Sequence, residues 1–104
     1  MSKAEADLAE ATRAAAGEYR GLASDVRRLQ ERIDRYRAGV VTHAAQRTTV
    51  AMASYASNQT SLVTLFEARH AEVEAQRKLL NLQRDLARAK AQLTYKPLVP
   101  GAEQ

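Results

Sequence analysis

The apolar residues in the first half of the chain recur at intervals of three and four, the spacing of one face of an α-helix. This stripe consists of Leu8, Ala15, Tyr19, Leu22, Val26, Leu29, Ile33, Tyr36 and Val40. Ser2 followed by Glu5 fits a capping box at the start of the helix. Beyond Val40 the stripe continues on a rotated face, at Val41, Ala44 or Ala45, Thr48, Met52 and Tyr55. The pattern predicts a first helix over about residues 3–56, with a stutter in its register after Val40.

Two stretches break the helical pattern. The first is a run of five polar residues at 57–61. Asparagine tolerates a positive φ better than most residues, so Asn58 is the best candidate for a left-handed helix end. The sequence therefore predicts a turn over about residues 57–60. The second is Pro97, which cannot continue a helix, so residues 97–104 are predicted to form an extended C-terminal tail.

A second helix is predicted between these breaks, over about residues 61–95. Thr60 or Ser61 can cap its first turn through a side-chain oxygen, and Thr64 with Glu67 offers a competing, later start. The main apolar row of this helix contains Leu65, Ala68, Ala75, Leu79, Leu82, Leu86, Ala89 and Leu93. A second row on a neighbouring face contains Leu62, Phe66, Val73 and Leu80.

The predicted fold class is all-α: residues 1–96 form a long, coiled-coil-like antiparallel helical hairpin. Two adjacent apolar rows on one helix cannot both be covered by a single partner helix. We therefore expect the chain to self-associate into a helical bundle, as a dimer or a higher oligomer.

The composition agrees with long helices, because alanine supplies much of the 45% hydrophobic content and only 5% of the residues are aromatic. The net charge of +4 raises the question of a nucleic-acid partner. However, the basic residues Arg27, Arg28, Arg32, Arg35 and Arg37 alternate with Asp25, Glu31 and Asp34. Mixed signs are typical of a solvated, salt-bridged helix face, so no nucleic-acid partner is expected.

No motif in the sequence indicates catalysis. A glycine-rich phosphate loop, a zinc-protease helix motif and a nucleophile with an orienting partner are all missing, so we expect no enzyme activity, catalytic residue or cofactor. The chain has no cysteine, which excludes disulfides and thiolate metal sites. His43 and His70 are the only histidines and lack a third ligand nearby, so no metal site is predicted.

The residues around the predicted turn carry a family resemblance. Tyr36-Arg37-Ala38-Gly39-Val40-Val41, and then the run from Tyr55 to Arg69, YASNQTSLVTLFEAR, resemble the TolC family of outer-membrane efflux proteins. In that family a tyrosine three residues before a glycine marks the periplasmic tip between the last two long helices. The tyrosine with its Val-Val pair is closest to the heavy-metal and cation efflux branch (CusC/CzcC-like). The resemblance extends from Tyr36 to Leu93.

The resemblance implies which residues bind a partner, and the apolar spacing predicts which form the seam between the helices. The partner-binding tip would be Tyr55, Ser57, Asn58, Gln59 and Thr60. For Tyr55 the favoured interpretation is a seam residue that closes the hairpin, because an aromatic residue at helical spacing usually packs. The seam itself would include Leu22, Val26, Leu29, Ile33, Leu65, Leu79, Leu82 and Leu86. Two positions depart from the family pattern, because Asn58 replaces the tip glycine and Thr60 lies near the position of a tip arginine.

The function implied by the resemblance is that of a tunnel segment. In the family, three subunits build a membrane barrel and a periplasmic helical tunnel, whose tips dock the adaptor of a tripartite pump, here one for metal ions. The chain would then be a fragment of a larger protein on the periplasmic side of the outer membrane. It would be soluble by itself, touching the membrane only through parts absent here. Two alternatives are the α-hairpin of a periplasmic adaptor and a small cytosolic coiled-coil scaffold.

Overall fold

A computed structural model describes residues 2–95 of the chain, and these residues are almost entirely helical. Helix α1 is Lys3–Tyr36, a π-helical segment is Arg37–Val41, helix α2 is Thr42–Ala56 and helix α3 is Leu62–Tyr95. No strand occurs within residues 2–95, so the predicted helical class is confirmed. The predicted tail at residues 97–104 lies outside the described part of the chain.

Serine side chains cap the starts of α1 and α3. The hydroxyl oxygen of Ser2 accepts a hydrogen bond from the backbone N–H of Glu5, at 3.1 Å. At the start of α3, the hydroxyl oxygen of Ser61 accepts one from the backbone N–H of Thr64, at 3.2 Å. Each bond satisfies an N–H group that has no partner inside the first turn of its helix. Of the three predicted starts for the second helix, the one capped by Ser61 is therefore the one that forms.

The π-helical segment Arg37–Val41 separates α1 from α2, where the sequence predicts one continuous helix. Its closing turn has an i to i+5 bond, because the backbone N–H and the hydroxyl of Thr42 both donate to the Arg37 carbonyl oxygen. A π turn holds one residue more than an α turn, which rotates the side chains that follow it. This extra residue accounts for the shift in the apolar stripe after Val40.

The chain divides into two compact units, which we describe separately. The terminal unit takes its described residues from 2–29 and 85–95, the start of α1 and the end of α3. The hairpin unit is Gln30–Arg84 and contains the last turns of α1, the π segment, α2 and most of α3.

Within the hairpin unit, two contacts show that α3 runs antiparallel to the preceding helices. The hydroxyl of Thr48 donates a hydrogen bond to the carbonyl oxygen of Ala68, at 3.2 Å. Farther from the turn, the ammonium group of Lys78 lies 5.4 Å from the centre of the Tyr36 ring. The residue earlier in the first arm, Tyr36, therefore contacts the residue later in α3, Lys78. The hairpin predicted around Asn58 is present in this unit.

Small side chains dominate the core of the hairpin unit. Its buried apolar residues are Ile33, Ala44, Ala51, Ala68, Ala75 and Leu82. Alanines at facing positions let two helix backbones approach closely, and dispersion contacts then replace bulky interdigitation. Two polar residues, Thr48 and Glu72, are buried with them, and both form hydrogen bonds.

The predicted seam residues differ in burial. Ile33, Leu82 and Leu86 are buried. The other five predicted seam residues are half-buried: Leu22, Val26, Leu29, Leu65 and Leu79. Incomplete burial is expected in a two-helix layer, because each seam residue has a partner helix on one side only.

Five members of the predicted stripe are exposed, so the prediction is wrong for them. Two are tyrosines, Tyr19 at 36% and Tyr55 at 41% exposed. Val40 is 51% exposed because it lies inside the π segment, and Val41 is the half-buried residue instead. Met52 is 58% exposed because the neighbouring alanine, Ala51, occupies the inward position one turn after Thr48. Leu8 is 64% exposed near the start of α1.

The helical glycines do not mark close helix contacts, contrary to what their small size suggests. A Cβ atom added at Gly21 or Gly39 would meet no neighbouring atom within 4 Å. At Gly17 it would come no nearer than 3.9 Å to the Arg20 side chain. The close approach between helices is made by alanines, and these glycines face open space.

Candidate functional site

The turn at the end of the hairpin unit is a Schellman motif. The backbone N–H of Gln59 donates to the carbonyl oxygen of Ser54, at 2.7 Å, and that of Asn58 donates to Tyr55, at 3.0 Å. This 6→1 and 5→2 pairing satisfies the last carbonyl groups of α2. The motif requires a left-handed backbone at the residue that donates the 5→2 bond. Asn58 is that residue, and its φ is 60°. The left-handed conformation predicted for Asn58 is thus confirmed.

The five residues predicted to bind a partner lie around this motif. Tyr55, Ser57, Asn58 and Gln59 are exposed, and Thr60 is half-buried. The Ser57 hydroxyl donates back to the Ala53 carbonyl oxygen, at 3.0 Å, which helps to close the last turn of α2. Hydrogen bonds thus fix the backbone of the tip, while most of its polar side chains remain accessible.

Six exposed large apolar side chains flank the turn on the two helices. Measured along the sequence, each lies within eight residues of Asn58, or about 12 Å of helix rise. The exposed fractions are Val50 65%, Met52 58%, Tyr55 41%, Leu62 42%, Val63 63% and Phe66 62%. We call these six residues the apolar tip set. These exposed side chains leave apolar surface on both sides of the turn available to a partner.

Helix α3 also carries an unpartnered apolar row along the hairpin unit. Phe66, Val73 and Leu80 recur every seven residues, which keeps them on one face of the helix. Phe66 is 62% and Leu80 65% exposed, and Val73 is half-buried. The sequence predicts this second row, and in the hairpin unit most of its surface is uncovered.

The outer face of α2 forms a shallow, mainly apolar groove of about 480 Å³. Its lining includes the small side chains of Ala45 and Thr49 and the larger Val41 and Val50. A groove lined by small and larger side chains can accept the ridge of another helix. Because Val50 also belongs to the apolar tip set, the groove continues towards the turn.

Neither histidine lies in an arrangement suited to a metal ion. His43 on α2 and His70 on α3 are both exposed. Within residues 2–95, no three histidine or acidic side chains lie close enough together to hold a metal. The hairpin unit thus offers contact surfaces, and the groups it presents around the turn are polar amides, hydroxyls and apolar side chains.

Sequence reasoning missed two members of the apolar tip set, Val50 and Val63. Both lie off the main apolar stripe, so the helical period does not select them. A usable signal was nevertheless present, because each is a β-branched residue on the polar face of a helix close to a turn.

Comparison of the chain with models of known protein families, with curated proteins and with solved structures finds no match. None of the helices within residues 2–95 combines the length and the hydrophobicity needed to cross a lipid bilayer.

Proposed function

We propose that this chain is a non-catalytic docking module that binds a helical partner through the end of its hairpin unit. The observation that carries this proposal is the apolar tip set, six large apolar side chains that stay exposed on both sides of one turn. Burying such side chains against a partner contributes about 25 cal/mol per Å² of apolar surface removed from water.

The backbone of the tip supports this function because it is already ordered. The Schellman bonds and the Ser61 cap fix the ends of α2 and α3, so that little conformational entropy is lost on binding. The polar side chains of Ser57 and Gln59 surround the turn and can form hydrogen bonds with a partner. Protein interfaces combine apolar contacts with hydrogen bonds of this kind.

The resemblance to the TolC family gives this docking function a specific form. In that form the chain contributes to the periplasmic helical tunnel of an outer-membrane efflux channel, three copies of which surround the pore. The tip then docks the α-hairpin of a periplasmic adaptor that belongs to a metal-ion efflux pump. Support comes from the Tyr55-to-Arg69 run, and from Asn58, which takes the left-handed conformation that the family's tip glycine would take.

A second candidate function is that of a coiled-coil scaffold formed by copies of this chain alone. The exposed row of Phe66, Val73 and Leu80 favours it, because a seven-residue apolar repeat is the pattern by which helices pair. The two functions make different use of the molecule. The scaffold requires the row along α3, whereas adaptor docking requires the side chains next to the turn.

Isothermal titration against the purified α-hairpin of a periplasmic adaptor from a heavy-metal efflux pump tests the proposal. We expect saturable binding, and we expect Val63→Ser or Met52→Ser to weaken it about tenfold, which corresponds to about 1.4 kcal/mol. Leu8→Ser is the matched control, since Leu8 is as exposed as Val63 but far from the turn in sequence. Equal losses in Leu8→Ser and Val63→Ser would contradict docking at the tip, and so would the absence of any binding.

A further inference from the structure

The hairpin unit contains a second surface feature, a basic cleft beside the π segment. The cleft has a volume of about 450 Å³ and is lined by Arg32, Arg35, Tyr36, Val40, Lys78 and Leu82. Half of these residues carry a positive charge and none is acidic. The cleft is shallow and largely open to solvent.

The arginines of this cleft have no acidic partner among the residues that the structure describes. Neither Arg32 nor Arg35 pairs with a carboxylate anywhere in residues 2–95. Asp34 is two residues from Arg32, which places it about 160° away around α1. Glu31 is four residues from Arg35, so it lies closer in angle to that arginine and is a carboxylate that could compete with a ligand. Two guanidinium groups one helical turn apart repel each other, and a bound anion would remove that repulsion.

The third cation comes from the facing helix. The ammonium group of Lys78 lies over the Tyr36 ring, 5.4 Å from its centre, so a cation–π interaction holds it at the cleft. Positive charge therefore reaches the cleft from both helices of the hairpin unit. An anion placed there would bind both helices at once.

The other lining residues are apolar, and the π segment explains why one of them is there. Val40 belongs to the π segment and is 51% exposed, although an uninterrupted α-helix would place it on the buried stripe. The extra residue of the π turn thus presents an apolar side chain next to three cations. Single π turns inside α-helices are frequent at functional sites.

We propose that this cleft binds a small amphiphilic anion, with a phosphate or carboxylate head on Arg32, Arg35 and Lys78. The apolar part of the ligand lies against Val40, Leu82 and the Tyr36 ring. This site is separate from the apolar tip set and does not depend on the docking function.

Titration of ¹⁵N-labelled protein with monomeric octyl phosphate, followed by NMR, tests the site. We expect saturable shifts at the amides of residues 32–41 and 78–82, and binding at least tenfold weaker for octanol. The variant Arg32→Gln/Arg35→Gln should weaken octyl phosphate binding at least tenfold. Arg13→Gln/Arg20→Gln removes the same charge from the terminal unit and should change it less than twofold.

A second variant distinguishes a loss of binding from a loss of folding. Val40→Glu places a negative charge in the cleft at an exposed position, and we expect it to abolish binding while helical circular dichroism is retained. Sedimentation with phosphatidylglycerol vesicles distinguishes the source of the anion. Vesicle binding that depends on Arg32 and Arg35 identifies a lipid head group, and octyl phosphate binding without vesicle binding identifies a free anion. Equal binding by the two arginine variants, equal affinity for octanol, or shifts confined to residues 62–66 would overturn the proposal.

Discussion

The hydroxyl of Thr48 on α2 donates to the carbonyl oxygen of Ala68 on α3, a distance of 3.2 Å, at a point where both residues are buried. The same hydroxyl lies 3.2 Å from the carbonyl oxygen of Ala44 in its own helix, so its proton is shared between the two helices. Ala68 has no exposed surface, so this bond lies in the core between α2 and α3. The contact fixes one point of the register between the two helices.

Replacing Thr48 by valine keeps the shape of the side chain and removes the hydrogen bond. We expect the free energy of unfolding to fall by about 1 kcal/mol, the usual net contribution of a buried hydrogen bond. Thr49→Val is the control, because the Thr49 hydroxyl bonds only to Ala45 within its own helix and is exposed. Urea unfolding measures both variants. An equal effect of the two substitutions would mean that the bond between the helices adds nothing.

The left-handed backbone at Asn58 makes a second prediction. Alanine has a Cβ atom but no side-chain group that favours this conformation, so Asn58→Ala should lower the free energy of unfolding by about 1 kcal/mol. Asn58→Gly should change it by less than about 0.5 kcal/mol, since glycine adopts positive φ without strain. Gln59→Ala is the control, because Asn58 is the only non-glycine residue with positive φ within residues 2–95. Thermal unfolding measures these variants. A higher melting temperature for Asn58→Ala than for Asn58→Gly would contradict the assigned turn.

Gly21 tests whether small residues in α1 serve close packing. It lies inside a helix with nothing within 4 Å of an added Cβ atom. We therefore expect Gly21→Ala to raise the free energy of unfolding by about 0.5–1 kcal/mol, through helix propensity and a less flexible unfolded chain. Circular dichroism during urea unfolding provides the measurement. A loss of stability would indicate that another helix lies against Gly21 in solution.

These features also indicate how far the sequence alone could lead. The caps at Ser2 and Ser61 and the left-handed Asn58 were predictable because each depends on residues within one or two turns. The π segment was not, because a stutter and a π turn produce the same shift in apolar spacing. Only the i to i+5 bond from Thr42 to Arg37 distinguishes them.

The candidate site was predicted less completely than the fold, for a physical reason. Helical period separates inward from outward positions, but it does not say which outward apolar residues lack a cover. The helical period therefore does not select Val50 and Val63. The mixed charges around Arg32 predict a solvated helix face and do not indicate a cleft. The absence of any acidic partner for Arg32 became visible only in three dimensions.

Self-association is expected to depend on the exposed row of α3. At high micromolar concentration we predict a dimer or higher oligomer, and we predict that Phe66→Glu/Leu80→Glu yields a monomer of unchanged helical content. His70→Glu/Asn81→Glu places the same charges at exposed polar positions of α3 and should leave the oligomer intact. Sedimentation velocity gives the mass of each species. A wild-type monomer at that concentration would refute the prediction.

Photocrosslinking from one side of the turn tests the docking function most directly. The chain has no cysteine, so Val63→Cys and Leu8→Cys can each carry a single benzophenone label, at positions 63% and 64% exposed. Each labelled protein is mixed with the adaptor α-hairpin and irradiated, and the products are identified by mass spectrometry. We predict crosslinks to the adaptor from position 63 and not from position 8. Crosslinks from position 63 only to a second copy of the chain, or equal adaptor crosslinks from both positions, would contradict docking at the hairpin tip.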